Sequence, residues 1–132
     1  MLERCGFDVS GRVVADERPE IERVLREDSQ SVSLIVTTGG TGFAHRDVTP
    51  EATRAVIERE APGLAEAMRA AGRASTPFAD LSRGIAGIVG SALVVNLPGS
   101  PRGAVESLEA ILPVIPHALE HLAGNTVHTD TP

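Results

Sequence analysis

The chain contains no lysine; all 12 of its basic residues are arginine. Without a lysine amine there is no Schiff-base nucleophile and no phosphate-loop lysine of the Walker type. Trp and Tyr are also missing, and there are only three Phe. Stacking platforms of the kind that hold single-stranded nucleic acid are therefore excluded, and the core has to be built from Val, Ile, Leu and Ala. The single cysteine, Cys5, cannot close an internal disulfide, and no Cys/His group has the spacing of a zinc site. Cys5 has no neighbouring His and no helix N-terminus to activate its thiol, so it reads as structural. Positive charge is in deficit: 18 acidic residues against 12 basic ones leave a formal net charge of -6. That balance disfavours nucleic acid as a partner, because general binding to it needs a basic face. No apolar run approaches a membrane span, and Met1-Leu2-Glu3-Arg4 lacks a signal-peptide core, so a cytoplasmic protein with no membrane partner is expected.

What is present suits one domain. The length is 132 residues, with 42% apolar and 23% charged residues, which is ordinary globular usage. Met1 to Gly6 reads as the last turn of a helix, stopped by a left-handed Gly6. Phe7 to Ala15 alternates well enough for a strand, with Phe7, Val9 and Val13 on one face. Pro19 opens an amphipathic helix to about Asp28, with Ile21, Val24 and Leu25 on its apolar side. Val32 to Thr37 is a short β-rich run of the kind covered by helices on both faces. Thr49-Pro50-Glu51 starts a helix, with Thr49 as cap, that runs to about Glu60 and is closed by Pro62. Gly63 to Ala71 is a further short helix. Residues 72–90 read mainly as loop, with short strands at Phe78-Ala79 and Ile85 to Val89. Ala92 to Leu97 is a buried-type strand, followed by a helix capped by Ser100 with Pro101 at its first position, and by a last helix from Pro113 to about Leu122. The domain is expected over residues 1–124, with 125–132 as a flexible tail. Strands alternating with helices argue for an α/β layered fold, a three-layer α/β/α sandwich with a mainly parallel sheet.

Two strand-to-helix loops carry the candidate chemistry. One is Thr37-Thr38-Gly39-Gly40-Thr41-Gly42, followed by Asp47; the other is Asn96-Leu97-Pro98-Gly99-Ser100-Pro101. In open α/β sheets ligands bind at the carboxyl ends of strands. Glycines there let backbone N–H groups approach an anion, and a following helix adds its positive end. Glycine could also serve only a tight turn, but two such loops in one small domain favour a phosphate or carboxylate site. Asp47 is either a turn residue or a Mg²⁺ ligand. Asp16-Glu17 follows the first expected strand on the same side of the sheet; alone it is a solvated turn, and with Asp47 it makes a two-carboxylate metal site. Arg46 and Arg83 are the best-placed cations. His117 and His121 are four apart on the last helix and share a face, without a third ligand nearby in sequence.

The stretch Thr37-Thr38-Gly39-Gly40-Thr41-Gly42-Phe43-Ala44-His45-Arg46-Asp47-Val48-Thr49-Pro50-Glu51-Ala52 closely resembles the signature of the molybdopterin adenylyltransferase family, the MogA/MoaB group that includes the G domain of gephyrin. Ile57 to Gly63, Leu81-Ser82-Arg83 and Asn96-Leu97-Pro98-Gly99-Ser100 continue the likeness, which covers about Asp8 to Leu122. The resemblance implies a three-layer α/β/α fold, a homotrimer, and transfer of AMP from ATP to the terminal phosphate of molybdopterin with release of pyrophosphate. It implies Asp16 and Asp47 as the essential, Mg²⁺-holding acids. It places Thr38, Gly39, Gly40, Thr41, Gly42, Ser82, Pro98, Gly99 and Ser100 around the substrates. Members of that family usually begin earlier, with a strand, a Ser-Asp loop and a Ser-Gly that opens the first helix; this chain opens within that helix. That departure keeps a second expectation in view, a molybdopterin-binding or trimeric scaffold domain without catalysis. A related domain of the CinA type is a weaker third expectation, because such domains carry a second acid where this chain has Arg46 before Asp47.

Overall fold

Ala92-Leu93-Val94-Val95-Asn96-Leu97 has no face suited to water, and the fold is arranged around it. In the computed structural model, which describes residues 1–124, these six residues form β4 (Ala92–Leu97), and all six are buried. Period-2 alternation sends Leu93, Val95 and Leu97 into one core, with Ala65, Met68, Leu108, Ile111 and Ile115. Val94 goes into the other, with Ile21, Leu25, Ala52 and Val56. Helices α1 (Arg18–Asp28) and α2 (Thr49–Val56) supply the second core; α3 (Pro62–Arg73), α4 (Pro101–Ile111) and α5 (Ile115–Leu122) supply the first. The result is three layers, helices on both faces of one sheet, as the alternation of strands and helices implied. Each fully buried Leu, Ile or Val here contributes about 1.5–3 kcal/mol of apolar transfer.

The sheet has four strands in the order β1 (Leu34–Thr38), β4, β3 (Ala86–Val89), β2 (Arg59–Glu60). β1 and β4 run parallel, with Leu34 opposite Leu93 and Thr38 opposite Leu97. β3 and β4 are antiparallel, joined by a two-residue turn in which Gly90 has φ 58°. β2 is antiparallel to β3. The sheet is thus mixed, its parallel part lying where the two Gly-rich loops leave it.

Several elements differ from their sequence expectation. Phe7 to Ala15 joins no strand ladder. Phe7 and Val14 pack on the cores, but Val13 is fully exposed. A groove of about 990 Å³ lies between this segment and β1, the edge strand, so its alternating residues have no neighbour with which to pair. The helix from Thr49 ends at Val56, and Arg59–Glu60 becomes β2 instead of a last turn. Gly87 permits that: a Cβ there would stand 2.8 Å from the Arg59 carbonyl oxygen and 2.7 Å from Ile57 Cδ1. Pro62 opens α3 and so starts a helix more than it stops one. Phe78 and Ala79 lie in a 3₁₀ turn, Pro77–Leu81, because Pro77 favours a helical first turn and Thr76 Oγ1 accepts the Phe78 N–H at 3.2 Å. The last helix starts two residues late, at Ile115, with Pro116 in its first turn. The Met1–Gly6 reading stands: a 3₁₀ turn, Glu3–Cys5, ends on Gly6 at φ 90°. The expected tail, 125–132, lies outside the described residues. Among those described, no helix is long and apolar enough to cross a membrane.

Asn96 is the polar exception in β4. Its Nδ2 donates to Thr37 Oγ1 and Thr53 Oγ1, both at 3.0 Å, and its Oδ1 accepts the Ile85 N–H at 3.2 Å. One buried amide thus ties β1, α2 and the approach to β3 together. Asn96→Ala should lower stability by roughly 1–3 kcal/mol, because it strands the Ile85 N–H in the interior. The urea-unfolding midpoint of the purified variant measures this.

Candidate functional site

The parallel pairing decides where the two loops go. Thr38 and Leu97 are opposite one another at the strand ends, and the Gly39 N–H donates to the Leu97 carbonyl at 3.2 Å. The loops therefore leave the sheet side by side. They touch: a Cβ added to Gly99 would be 3.3 Å from Gly39 Cα. Gly39 and Gly40 take φ of 88° and 69°, which β-carbon-bearing residues rarely adopt. At Gly40 a Cβ would also land on Thr49 Oγ1, while the Gly40 carbonyl accepts the Thr49 N–H at 3.1 Å. Thr49 is therefore the first buried residue of α2, not the cap; Val48 holds the cap position and makes no side-chain bond.

Beside these loops lies a pocket of about 410 Å³. Gly40, Thr41, Gly42 and Asp47 line one wall. Pro98, Gly99 and Ser100 line another, and Ser82 a third. Among the described residues the N–H groups of Gly40, Thr41 and Gly42 meet no protein acceptor. The N-terminal turn of α4 opens onto the same space, with Ser100 Oγ accepting the Gly103 N–H at 3.1 Å. Free N–H groups and a helix N-terminus beside one hollow are the features by which proteins hold anions.

The structure divides the remaining candidates. Asp47 is half-buried on the pocket wall, and its Oδ2 accepts the Ala44 N–H at 3.0 Å. Asp16 and Thr38 line the groove beside β1 instead. The two aspartates therefore belong to different hollows, with the Gly-rich loop forming part of both walls. No group of three or more His, Cys, Asp or Glu able to hold a metal forms among the described residues. Arg46 is exposed. His117 and His121 touch in a tilted arrangement, ring centroids 4.3 Å apart, on exposed positions of α5. Cys5 is free and exposed.

Two charged pocket residues lie outside the sequence candidates. Arg69 lines the pocket and is its one cationic side chain among the described residues; its Nη1 donates to the Ser82 and Gly84 carbonyls at 3.2 and 3.0 Å. Glu106 lines it from α4. The helical spacing of Ala65, Met68, Arg69 and Gly72, all on the pocket face of α3, is the signal that could have found Arg69.

The site is a pocket at one corner of an α/β layered domain, formed where two parallel strands end. The family described as "Probable molybdopterin binding domain" matches residues 1–117, and the chain belongs to it. The molybdopterin adenylyltransferase of Helicobacter pylori J99 is 47% identical over 115 residues, covering 86% of this chain and 65% of that one. The molybdenum cofactor synthesis protein cinnamon of Drosophila melanogaster is 46% identical over 121 residues, 90% of this chain and 20% of its own. Among solved structures, the molybdopterin biosynthesis Mog protein of Mycobacterium ulcerans superposes with a TM-score of 0.88 at 45% identity, covering 93% of this chain and 81% of that one. The chain thus spans less than two thirds of the length of either curated relative.

One electrostatic contact near the loop can be read by pH. Glu51 accepts from Arg83 Nη1 at 2.6 Å, and that bond holds its carboxyl below the usual glutamate range. A lowered folded value means the contribution is present above the unfolded carboxyl pKa, about 4.3, and fades as pH falls through the lower folded value. Glu51→Gln should flatten the acid limb of a stability-versus-pH curve below about pH 4 and leave its shape near neutrality unchanged. Thermal midpoints measured across that range check it.

Proposed function

We propose that this chain carries out adenylyl transfer to molybdopterin in molybdenum cofactor biosynthesis. The observation that carries the proposal is the meeting of the two Gly-rich loops at one pocket, with unpaired N–H groups at Gly40, Thr41 and Gly42. Kinship with proteins named molybdopterin adenylyltransferase supplies the substrates, ATP and molybdopterin.

The reaction needs little covalent chemistry from the protein. The terminal phosphate oxygen of molybdopterin attacks the α-phosphorus of ATP; a new P–O bond forms, the bond to the β-phosphate breaks, and pyrophosphate leaves. The nucleophile is already ionised, so no general base is required. The protein must hold two anions together and offset their repulsion, which is catalysis by position and electrostatics. In this reading Gly40 to Gly42 and the first turn of α4 take phosphate oxygens, and Pro98 to Ser100 form the wall beside them, with Gly39 packed against Gly99. Ser82 and Arg69 face the same space as a hydroxyl and a guanidinium donor. Asp47, on the pocket wall, would hold a Mg²⁺ that neutralises phosphate charge, an ion that commonly takes one or two protein carboxylates. Asp16, the second acid of this reading, lines the groove on the β1 side of the same loop. A homotrimer belongs to the same reading; large apolar side chains left exposed at Phe43 and Phe78 support an assembly.

The match to a family described as a probable molybdopterin binding domain supports a second reading, molybdopterin binding without turnover. Incubating the protein with ATP, Mg²⁺ and molybdopterin separates the two. Adenylylated pterin and pyrophosphate, in equal amounts, are expected; pterin binding with no product decides for the second reading. Asp47→Asn should reduce turnover by about 100-fold, with molybdopterin affinity nearly unchanged. An unaltered kcat in that variant would remove Asp47 from the reaction.

A further inference from the structure

We propose that Arg83 is a positioning residue for the transfer, setting the 41–47 loop so that the Gly42 N–H and the Asp47 carboxylate face the pocket. The proposal rests on the reading of Asp47 just given.

Arg83 lies between the 3₁₀ turn Pro77–Leu81 and β3, far in sequence from the loop it grips. Its backbone N–H donates to the Thr41 carbonyl at 2.8 Å. Its Nε donates to the Gly42 carbonyl at 2.8 Å, and Nη2 to the Asp47 carbonyl at 2.7 Å. Nη1 donates to Glu51 Oε2 at 2.6 Å, and Nη2 reaches Glu51 Oε1 at 3.3 Å. One residue thus fastens the loop at its start, at its end and at the first turn of α2.

The consequence follows from peptide geometry. In a trans peptide the C=O and the next N–H point in opposite directions. Turning the Thr41 carbonyl toward Arg83 therefore turns the Gly42 N–H away from it, and Thr41 and Gly42 are both pocket residues. At the other end, Asp47 is held by its carbonyl on Arg83 and by its N–H on the Ala44 carbonyl at 2.9 Å, which fixes the backbone from which its carboxylate projects. Arg83 itself is absent from the pocket lining, where Arg69 is the cation. Its guanidinium is engaged by the loop and by Glu51, so its effect on substrates passes through the loop. Only a planar fork reaches acceptors spread in this way; a lysine amine on a flexible stem does not.

The test is a double-mutant cycle on kcat and KM. A misplaced loop costs about 100-fold in kcat, so Arg83→Gln should lose that much while KM for ATP changes by no more than about threefold. Arg83→Lys should recover part of the loss, about tenfold remaining, because it can satisfy fewer acceptors. In the Asp47→Asn background, Arg83→Gln should cost little more, since both changes disable one device. The proposal is overturned if Arg83→Gln keeps wild-type kcat, or if its loss multiplies in full with that of Asp47→Asn. Should Arg83→Gln give no folded protein, Arg83→Lys carries the same cycle with the same two outcomes. Full turnover by Asp47→Asn alone refutes the role of Asp47 and is seen independently of any Arg83 variant.

Discussion

The parallel pairing of β1 with β4 is the constraint on which the rest depends. It places Thr38 opposite Leu97, and so puts the two loops that follow in contact at Gly39 and Gly99. Had β1 paired elsewhere in the sheet, each loop would be an ordinary turn. The register is specified by burial: Leu34 and Val36 face one core with Leu93 and Val95, while Ile35 faces the other with Val94. A slip of one residue would exchange the two sets. Asn96 adds a polar check, since its amide meets Thr37 and Thr53 only in this register.

Much of this architecture is readable in the chain. Pro19, Pro50 and Pro101 mark helix starts because a missing N–H costs nothing in a first turn, and Ser100 makes its capping bond. β4 announces itself by a continuous apolar run, the mark of a strand covered on both faces. The failures have physical causes. Phe7 to Ala15 carries a strand's alternation, but pairing needs a neighbour, which no local pattern reports. Arg59-Glu60 has no β character of its own and is a strand because Gly87 lets it approach β3. At Phe78 the local signal, Thr76 as cap and Pro77 in the first turn, specifies a 3₁₀ turn over the strand that its aromatic side chain suggests.

The candidate site was legible to a similar degree. The loops stand out as glycine-rich segments after apolar runs, and the structure brings Gly40 to Gly42, Asp47, Ser82 and Pro98 to Ser100 around one pocket. That Asp16 and Asp47 border different hollows is not readable from the chain, because only the sheet order shows which hollow each one borders. Arg69 was hidden on a helix whose apolar face drew attention to packing. Arg83 was noticed as a cation, but its bonds run across more than thirty residues of chain to Glu51, a separation that sequence spacing cannot bridge.

The burial of β4 has one more consequence. Its backbone is hydrogen-bonded to strands on both sides and roofed by helices on both faces. No partial opening of an edge or a terminal helix exposes it, so its amide protons trade with solvent deuterium only when the whole domain comes apart. The most deeply buried strand among the described residues therefore leads straight into the loop at Pro98, so one wall of the pocket is tied directly to the centre of the fold.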